Sequence, residues 1–190
     1  MTLSHPGFAD PVLESQACFR AVLDAMARPS TIHAVTAPAD PPPPLHRATA
    51  AVLLTLVDAD TPLWLDAAAE AAWGWIAFHA GAPRAPRAAA AFALALTPMD
   101  LTGFATGTDD GPEEAATLIL QVSALGAGQA LRLSGPGLAA PASLRVDGLA
   151  PGFVAEWAAN RRLFPRGNDL ILCAGDRLTA FPRTLMIEES

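Results

Sequence analysis

Two copies of Phe-Pro-Arg, at 164–166 and 181–183, bracket the segment FPRGNDLILCAGDRLTAFPRT. A guanidinium is a planar fork that grips a phosphate or a carboxylate through paired N–H donors. Arg166 and Arg183, with Asp169 between them and Thr184 following, therefore form the first candidate group. Two readings stay open. In one, an Arg–carboxylate pair with Asp169 only fixes a chain end. In the other, at least one guanidinium binds a phosphate or a partner's carboxylate. On either reading Arg183→Lys, which keeps the charge and loses the fork, is expected to change the melting temperature little.

Other chemistry-bearing residues are more scattered. Asp58 and Asp60 alternate in VDADTP. Neighbouring carboxylates can serve acid–base work, but ahead of a strand their ordinary duty is turn and cap chemistry. His5, His33, His46 and His79 fit no metal-ligand spacing, and no metal is expected; His79 remains a secondary candidate. In Ser134-Gly135-Pro136-Gly137 the backbone N–H groups around Gly135 and Gly137 can cradle an anion. Gly126-Ala127-Gly128 is no dinucleotide fingerprint, since the third Gly position holds Leu131 and strand-like sequence follows. A hairpin turn is the expectation there. The Thr106–Asp110 loop reads as a solvated turn. No nucleophile elbow is present, and no catalytic residue can be named.

Composition narrows the function further. The chain has no lysine, and all 12 basic residues are arginine. An internal aldimine with pyridoxal phosphate and an ordinary Walker A loop both need a lysine, so both are excluded for this chain acting alone. The net charge of −7 argues against a nucleic-acid or acidic-membrane surface. Cys18 and Cys173 read as buried, reduced thiols. Met1 to Asp10 has neither a basic start nor an apolar core, so no secretory signal is expected and the cytoplasm is the expected compartment. The apolar runs near 48–57 and 88–96 are too short to span a bilayer.

These residues need elements to position them. With 190 residues, a single domain can bury roughly 70% of its unfolded surface without staples. Asp10-Pro11 is a helix start, followed by Phe19, Val22, Leu23 and Met26 at helical spacing and a stop at Pro29. Thr31 to Val35 reads as a strand, and Pro38 to Pro44 as an extended crossing loop. Helix is expected over about 45–57, strand over 61–65, and helix again up to His79 before the turn at Gly81. Ala89 to Leu96 and Leu118 to Val122 read as buried strands. LRLS alternates as a strand, and a last helix should cover about 153–163. Leu170–Cys173 and Leu178–Phe181 flank a turn at Gly175-Asp176, a hairpin in which 173 faces 178 and 168 faces 183. Arg166 is then close enough to join Arg183 and Asp169. Strands and helices interspersed from end to end predict one α/β domain, residues 1–190, with a mixed sheet.

The motifs FR.VLDAMARP, VLLTLVDADTPLWL, FHAGAP, ATLILQVSALGAGQALRLSGPGL and FPRGNDLILCAGDRLTAFPRT, in this order from Phe19 to Thr184, together resemble the PhnH family of the bacterial carbon–phosphorus lyase system. Two positions depart from the family pattern. Ser30 stands where Gly is frequent, and Asn168 where a small aliphatic residue is common. The resemblance implies a three-layer α/β/α sandwich like the large domain of pyridoxal-dependent aminotransferases, without the cofactor. It also implies a homodimer in isolation and recruitment by PhnG, PhnI and PhnJ. The complex so formed displaces adenine from ATP with an alkylphosphonate, giving ribose 1-alkylphosphonate 5-triphosphate. Two rival functions remain: a free-standing small-molecule enzyme with a pocket at the sheet ends, and a pure scaffold.

The missing lysine yields a direct test. Incubation with pyridoxal phosphate and borohydride should trap no adduct beyond the α-amino group. A stoichiometric internal adduct seen by mass spectrometry would refute this.

Overall fold

A computed structural model of the chain describes residues 5–35 and 40–190. Part of the expected 38–44 loop and the first residues of the N-terminus lie outside the described residues. The elements run α1 (Pro11–Ala27), β1 (His33–Ala34), α2 (Arg47–Leu56), β2 (Leu63–Leu65), α3 (Trp73–Ala80), β3 (Phe92–Ala95), β4 (Thr117–Gln121), β5 (Ala124–Ser134), β6 (Ala142–Asp147), α4 (Phe153–Arg161), β7 (Asp169–Ala174), β8 (Arg177–Phe181) and β9 (Met186–Glu189). A 3-10 helix over Ala67–Ala72 leads into α3.

Six strands form a mixed sheet in the order β1-β8-β7-β4-β3-β2, in which β2, β3, β4 and β7 are parallel. β8 returns antiparallel to β7, and β1 pairs antiparallel with β8. The hairpin has the expected register, Cys173 opposite Leu178 and Leu170 opposite Phe181. Gly175 turns it at φ +58°. The ladder ends before Pro182, which has no N–H to continue it.

Successive residues of a strand face opposite sides, and here both sides are apolar. Leu94, Ile119, Ile171, Cys173 and Leu178 meet one core with α1, α2 and α3. Ala93, Leu118, Leu120, Leu170, Leu172 and Phe181 meet a second core with α4 and a smaller sheet. In that second core Trp157 is fully buried, and its indole N–H donates to Leu185 O at 2.8 Å. An aromatic group with a polar edge is thereby satisfied.

The N-terminal helix begins as expected: Asp10 caps it by accepting from Leu13 N at 3.1 Å. Its inward face differs from the expected stripe. Cys18, Val22 and Ala25 are buried, while Phe19 and Leu23 are 45% and 52% exposed. Small residues let the helix sit close to the sheet, and the larger ones turn outward. Cys18 and Cys173 are both free and buried. Burial, then the neighbouring Cys18 sulfur, push the Cys173 thiol far above its ordinary pKa. Among the described residues no helix is long and apolar enough to cross a membrane.

The smaller sheet, in the order β6-β5-β9 and antiparallel throughout, corrects the reading at Gly126-Ala127-Gly128. No hairpin turn forms there. Strand β5 runs straight through, and its register against β6 shifts between Leu125 and Gln129, both of which lie opposite Val146. The glycines make a bulge, with φ of +91° and +87°, a conformation side chains other than Gly avoid. Two strands had no place in the sequence reading. β6, ASLRVD, carries a clear inside–outside alternation, and β9 is too short and acidic to signal itself.

The bulge makes a paired prediction. A Cβ on Gly128 would lie 2.5 Å from both Asp147 Cα and Val146 O, whereas one on Gly126 meets only Ile32 Cδ1 at 4.0 Å. Gly126→Ala should therefore cost about 1–2 kcal/mol, the conformational part alone. Gly128→Ala adds a backbone collision and should cost about 4 kcal/mol or more. Urea unfolding of the two variants measures the difference, and equal costs would contradict the close approach.

Candidate functional site

The hairpin's open end is held by one carboxylate. Asp169, the first residue of β7, accepts from the Arg183 backbone N–H at 2.7 Å and from its Nη2 at 2.6 Å. Nε lies 3.2 Å from each carboxylate oxygen. Nη1 donates to Pro112 O at 2.6 Å and to Pro165 O at 3.4 Å. Of the five guanidinium hydrogens, only one on Nη2 is left over. The two side chains are 15% and 24% exposed. One arginine thus ties the start of β7, the end of β8, the turn at Pro112 and the first Phe-Pro-Arg copy together.

The two Phe-Pro-Arg copies meet, but through Pro165 O and not through Arg166. Gly167, at φ +111°, turns the chain between Arg166 and Asp169. Arg166 consequently points to the Gly/Thr/Asp loop, its Nε 3.2 Å from Asp109 Oδ1. Its side chain is 41% exposed and that of Asp109 is 79% exposed. The expectation that Arg166 joins the Asp169–Arg183 pair is corrected by this placement.

Behind the clasp lies a buried asparagine pair that no local pattern connects. The Asn160 amide accepts from Asn168 N at 2.8 Å and donates to Asn168 O at 2.9 Å, so a helix side chain acts as a strand neighbour. The Asn168 amide donates to Ala105 O at 2.7 Å and to Ala116 O at 2.8 Å. Gly167 N bonds Thr106 O, and a Cβ at Gly167 would meet Asn160 O at 3.0 Å. The unusual Asn168 is therefore anchored from both sides.

Thr184 and Gly135 come together at a separate place. Thr184 O accepts from Arg161 Nε at 3.2 Å, and a Cβ on Gly135 would lie 3.4 Å from that same oxygen. Pro136, Arg161, Phe164 and Thr184 line a recess of about 300 Å³. Gly137 is pressed against the end of α1, where a Cβ would lie 2.3 Å from Ala27 O. Asp58 and Asp60 sit ahead of β2, at the far edge of the sheet. Asp58 accepts from Asp60 N and Thr61 Oγ1, both at 3.0 Å, which is turn chemistry. His79 closes α3 beside Trp75 and Phe78, its Nε2 3.4 Å from His5 O. These candidates do not form one site.

A polar cleft opens at the carboxyl ends of β3 and β4, the usual ligand position in α/β sheets. It measures about 290 Å³ and is lined by His46, Leu96, Pro98, Gln121, Val122, Ser123 and Gly148. Gln121 accepts from His46 N and Thr49 Oγ1, each at 2.7 Å, and donates to Pro44 O at 2.9 Å. His46 Nδ1 accepts from Gly175 N, so the ring proton sits on Nε2, and burial lowers the ring's pKa. The rim is fixed by Asp66, which accepts from Ala69 N, Leu96 N, Thr97 N and Thr97 Oγ1 at 2.8–3.0 Å. A Gln closing an apolar strand was the one sequence signal for this cleft.

The donor count at Arg183 changes what Arg183→Lys is expected to do. An ammonium cannot reach Asp169, Pro112 and Pro165 from one point. The substitution should cost about 2 kcal/mol, and a chain of this size should melt about 4–8 °C lower. Calorimetry checks it, and an unchanged melting temperature would remove Arg183 from the frame of the fold.

The family model described as bacterial phosphonate metabolism protein (PhnH) matches residues 6–188. The chain is 43% identical over 188 residues to the alpha-D-ribose 1-methylphosphonate 5-triphosphate synthase subunit PhnH of Rhizobium meliloti (strain 1021), covering 95% of this chain and 94% of that one. It is also 42% identical over 84 residues to the putative C-P lyase subunit protein HtxG of Stutzerimonas stutzeri, covering 43% of this chain and 42% of the relative. The family match begins ahead of α1 and ends inside β9, so among the described residues it takes in both sheets and helices α1 to α4. By that match this chain belongs to the PhnH family of bacterial phosphonate metabolism proteins.

Proposed function

We propose that the protein is a subunit of a carbon–phosphorus lyase core complex, the alpha-D-ribose 1-methylphosphonate 5-triphosphate synthase. The observation that carries this reading is the near full-length identity to a subunit of that name. The subunit contributes assembly, and its partners are PhnG-, PhnI- and PhnJ-type chains. Within it, the Asp169–Arg183 pair holds the frame. Arg166 and Thr184, with the exposed Arg161 and Phe164 that share a recess with Thr184, face a partner's carboxylates or a phosphate group.

Several finer points belong to the same proposal. In isolation the chain is a homodimer, supported by the exposed Val12, Leu13, Phe19 and Leu23 of α1. It works in the cytoplasm, without pyridoxal phosphate, and binds neither nucleic acid nor membranes. Its fold is a three-layer relative of the aminotransferase large domain, supported by a mixed sheet with α1, α2 and α3 on one face and α4 on the other. A second reading, a free-standing enzyme, is favoured by the polar cleft at the ends of β3 and β4.

Co-expression with the partner subunits separates these readings. The wild-type chain should co-elute with them, and alone it should scatter light as a dimer. Arg166→Glu should weaken co-elution about tenfold while changing stability by less than about 0.5 kcal/mol, as expected for a half-exposed surface residue. A chain that never co-elutes, or that alone converts ATP and methylphosphonate, would overturn the subunit reading in favour of the enzyme.

A further inference from the structure

A third cavity, of about 350 Å³, lies between α4 and the loop that follows β3. Its walls include Leu101, Phe104, Ala159 and Leu163, and its polar side chains are those of Glu156, Asn160, Asn168 and two threonines. This mixture of apolar walls and a few polar groups is that of a small-molecule site. The walls are fixed in advance. Glu156 Oε2 accepts from Leu101 N at 3.0 Å, and Asp100 accepts from Thr102 N at 3.0 Å and from Arg87 at 2.9 Å. The Arg87 guanidinium lies against the Trp64 and Phe104 rings, 4.6 and 4.9 Å from their centroids, and its charge is matched by Asp100.

Two acceptors of this cavity, Asn168 Oδ1 and one oxygen of Glu156, have no donor among the described residues. Two carbonyls, of Ala105 and Ala116, take both hydrogens of the Asn168 amide, which fixes its orientation. Asn168 Oδ1 is then a buried acceptor with no partner, on a residue only 1% exposed. An unpaired buried acceptor is costly and calls for a donor. The Asn160 amide uses its oxygen and one N–H on the Asn168 backbone, and Thr102 Oγ1 gives its hydrogen to Asp100. Glu156 is the one ionisable side chain in the lining, and one of its oxygens has no bond among the described contacts.

We propose that this cavity binds a primary ammonium carried on a short apolar stem, with Glu156 and Asn168 Oδ1 as its acceptors. The chain has no lysine, so a second copy cannot supply a lysine head. It comes from a free alkylamine or from a lysine of another polypeptide. The proposal stands apart from the hairpin-end surface and does not depend on the subunit reading.

The test follows the side-chain NH₂ signals of Asn160 and Asn168 in the ¹⁵N-labelled full chain. n-Butylammonium should shift both signals saturably in the millimolar range, while n-butanol and butyltrimethylammonium, which lack charge or N–H donors, should not. Glu156→Gln keeps an acceptor for Leu101 N and loses the charge, so it should fold and bind about tenfold more weakly. A capped Gly-Lys-Gly peptide identifies the source. Tighter binding than n-butylammonium assigns the head to a partner's lysine, and equal or weaker binding assigns it to a free amine. Equal shifts with n-butanol, no shift with n-butylammonium, or undiminished binding by Glu156→Gln would each overturn the proposal.

Discussion

Strands β4 and β7 are apolar on both faces, and that constraint organises the rest of the molecule. A strand buried on two sides cannot turn its end groups to water, so each polar group there needs a protein partner. At the carboxyl end of β4, Gln121 meets the need by gathering His46, Thr49 and the Pro44 carbonyl. At the opposite end of the sheet, Asn168 just ahead of β7 and Asp169 at its start gather Asn160, Ala105, Ala116 and Arg183. Both ends of the sheet are thus closed by side-chain amides, a carboxylate and one guanidinium.

The same constraint decides which arginines are available. Arg183 stands where three backbone segments converge and is consumed by them. Drawing its guanidinium to a ligand would leave Pro165 O without this donor and Asp169 without its charged partner, each a cost of about 1–3 kcal/mol. Arg166 stands one turn outside that closure and retains an exposed side chain. Two identical tripeptides therefore have different duties: one fastens the hairpin, and the other faces outward.

The smaller sheet extends this logic to the second core. Leu131, Leu133, Leu144 and Val146 face the six-stranded sheet together with Phe153 and Trp157. The bulge at Gly126 and Gly128 lets β5 change register and still present these residues inward. A chain poor in aromatic residues, with no tyrosine, concentrates three of its large rings, Phe153, Trp157 and Phe181, at this one seam.

The residues alone carried whatever depends on near neighbours. The Asp10-Pro11 cap, the hairpin register around Gly175, the ladder's stop at Pro182 and the double-sided burial of Leu118 to Leu120 follow from local sterics and alternation, which act within a few residues. The expectation that no internal aldimine forms likewise rests on a missing side chain, lysine. What Arg166 and Arg183 bond to was settled only in three dimensions. Pro112 lies 71 positions from Arg183, and which loop arrives beside a strand end is set by packing elsewhere. The two glycines of β5 show the same limit. Their freedom at positive φ is written in the sequence, but a turn and a bulge use it equally well, and only the arrival of Val146 opposite them selected the bulge.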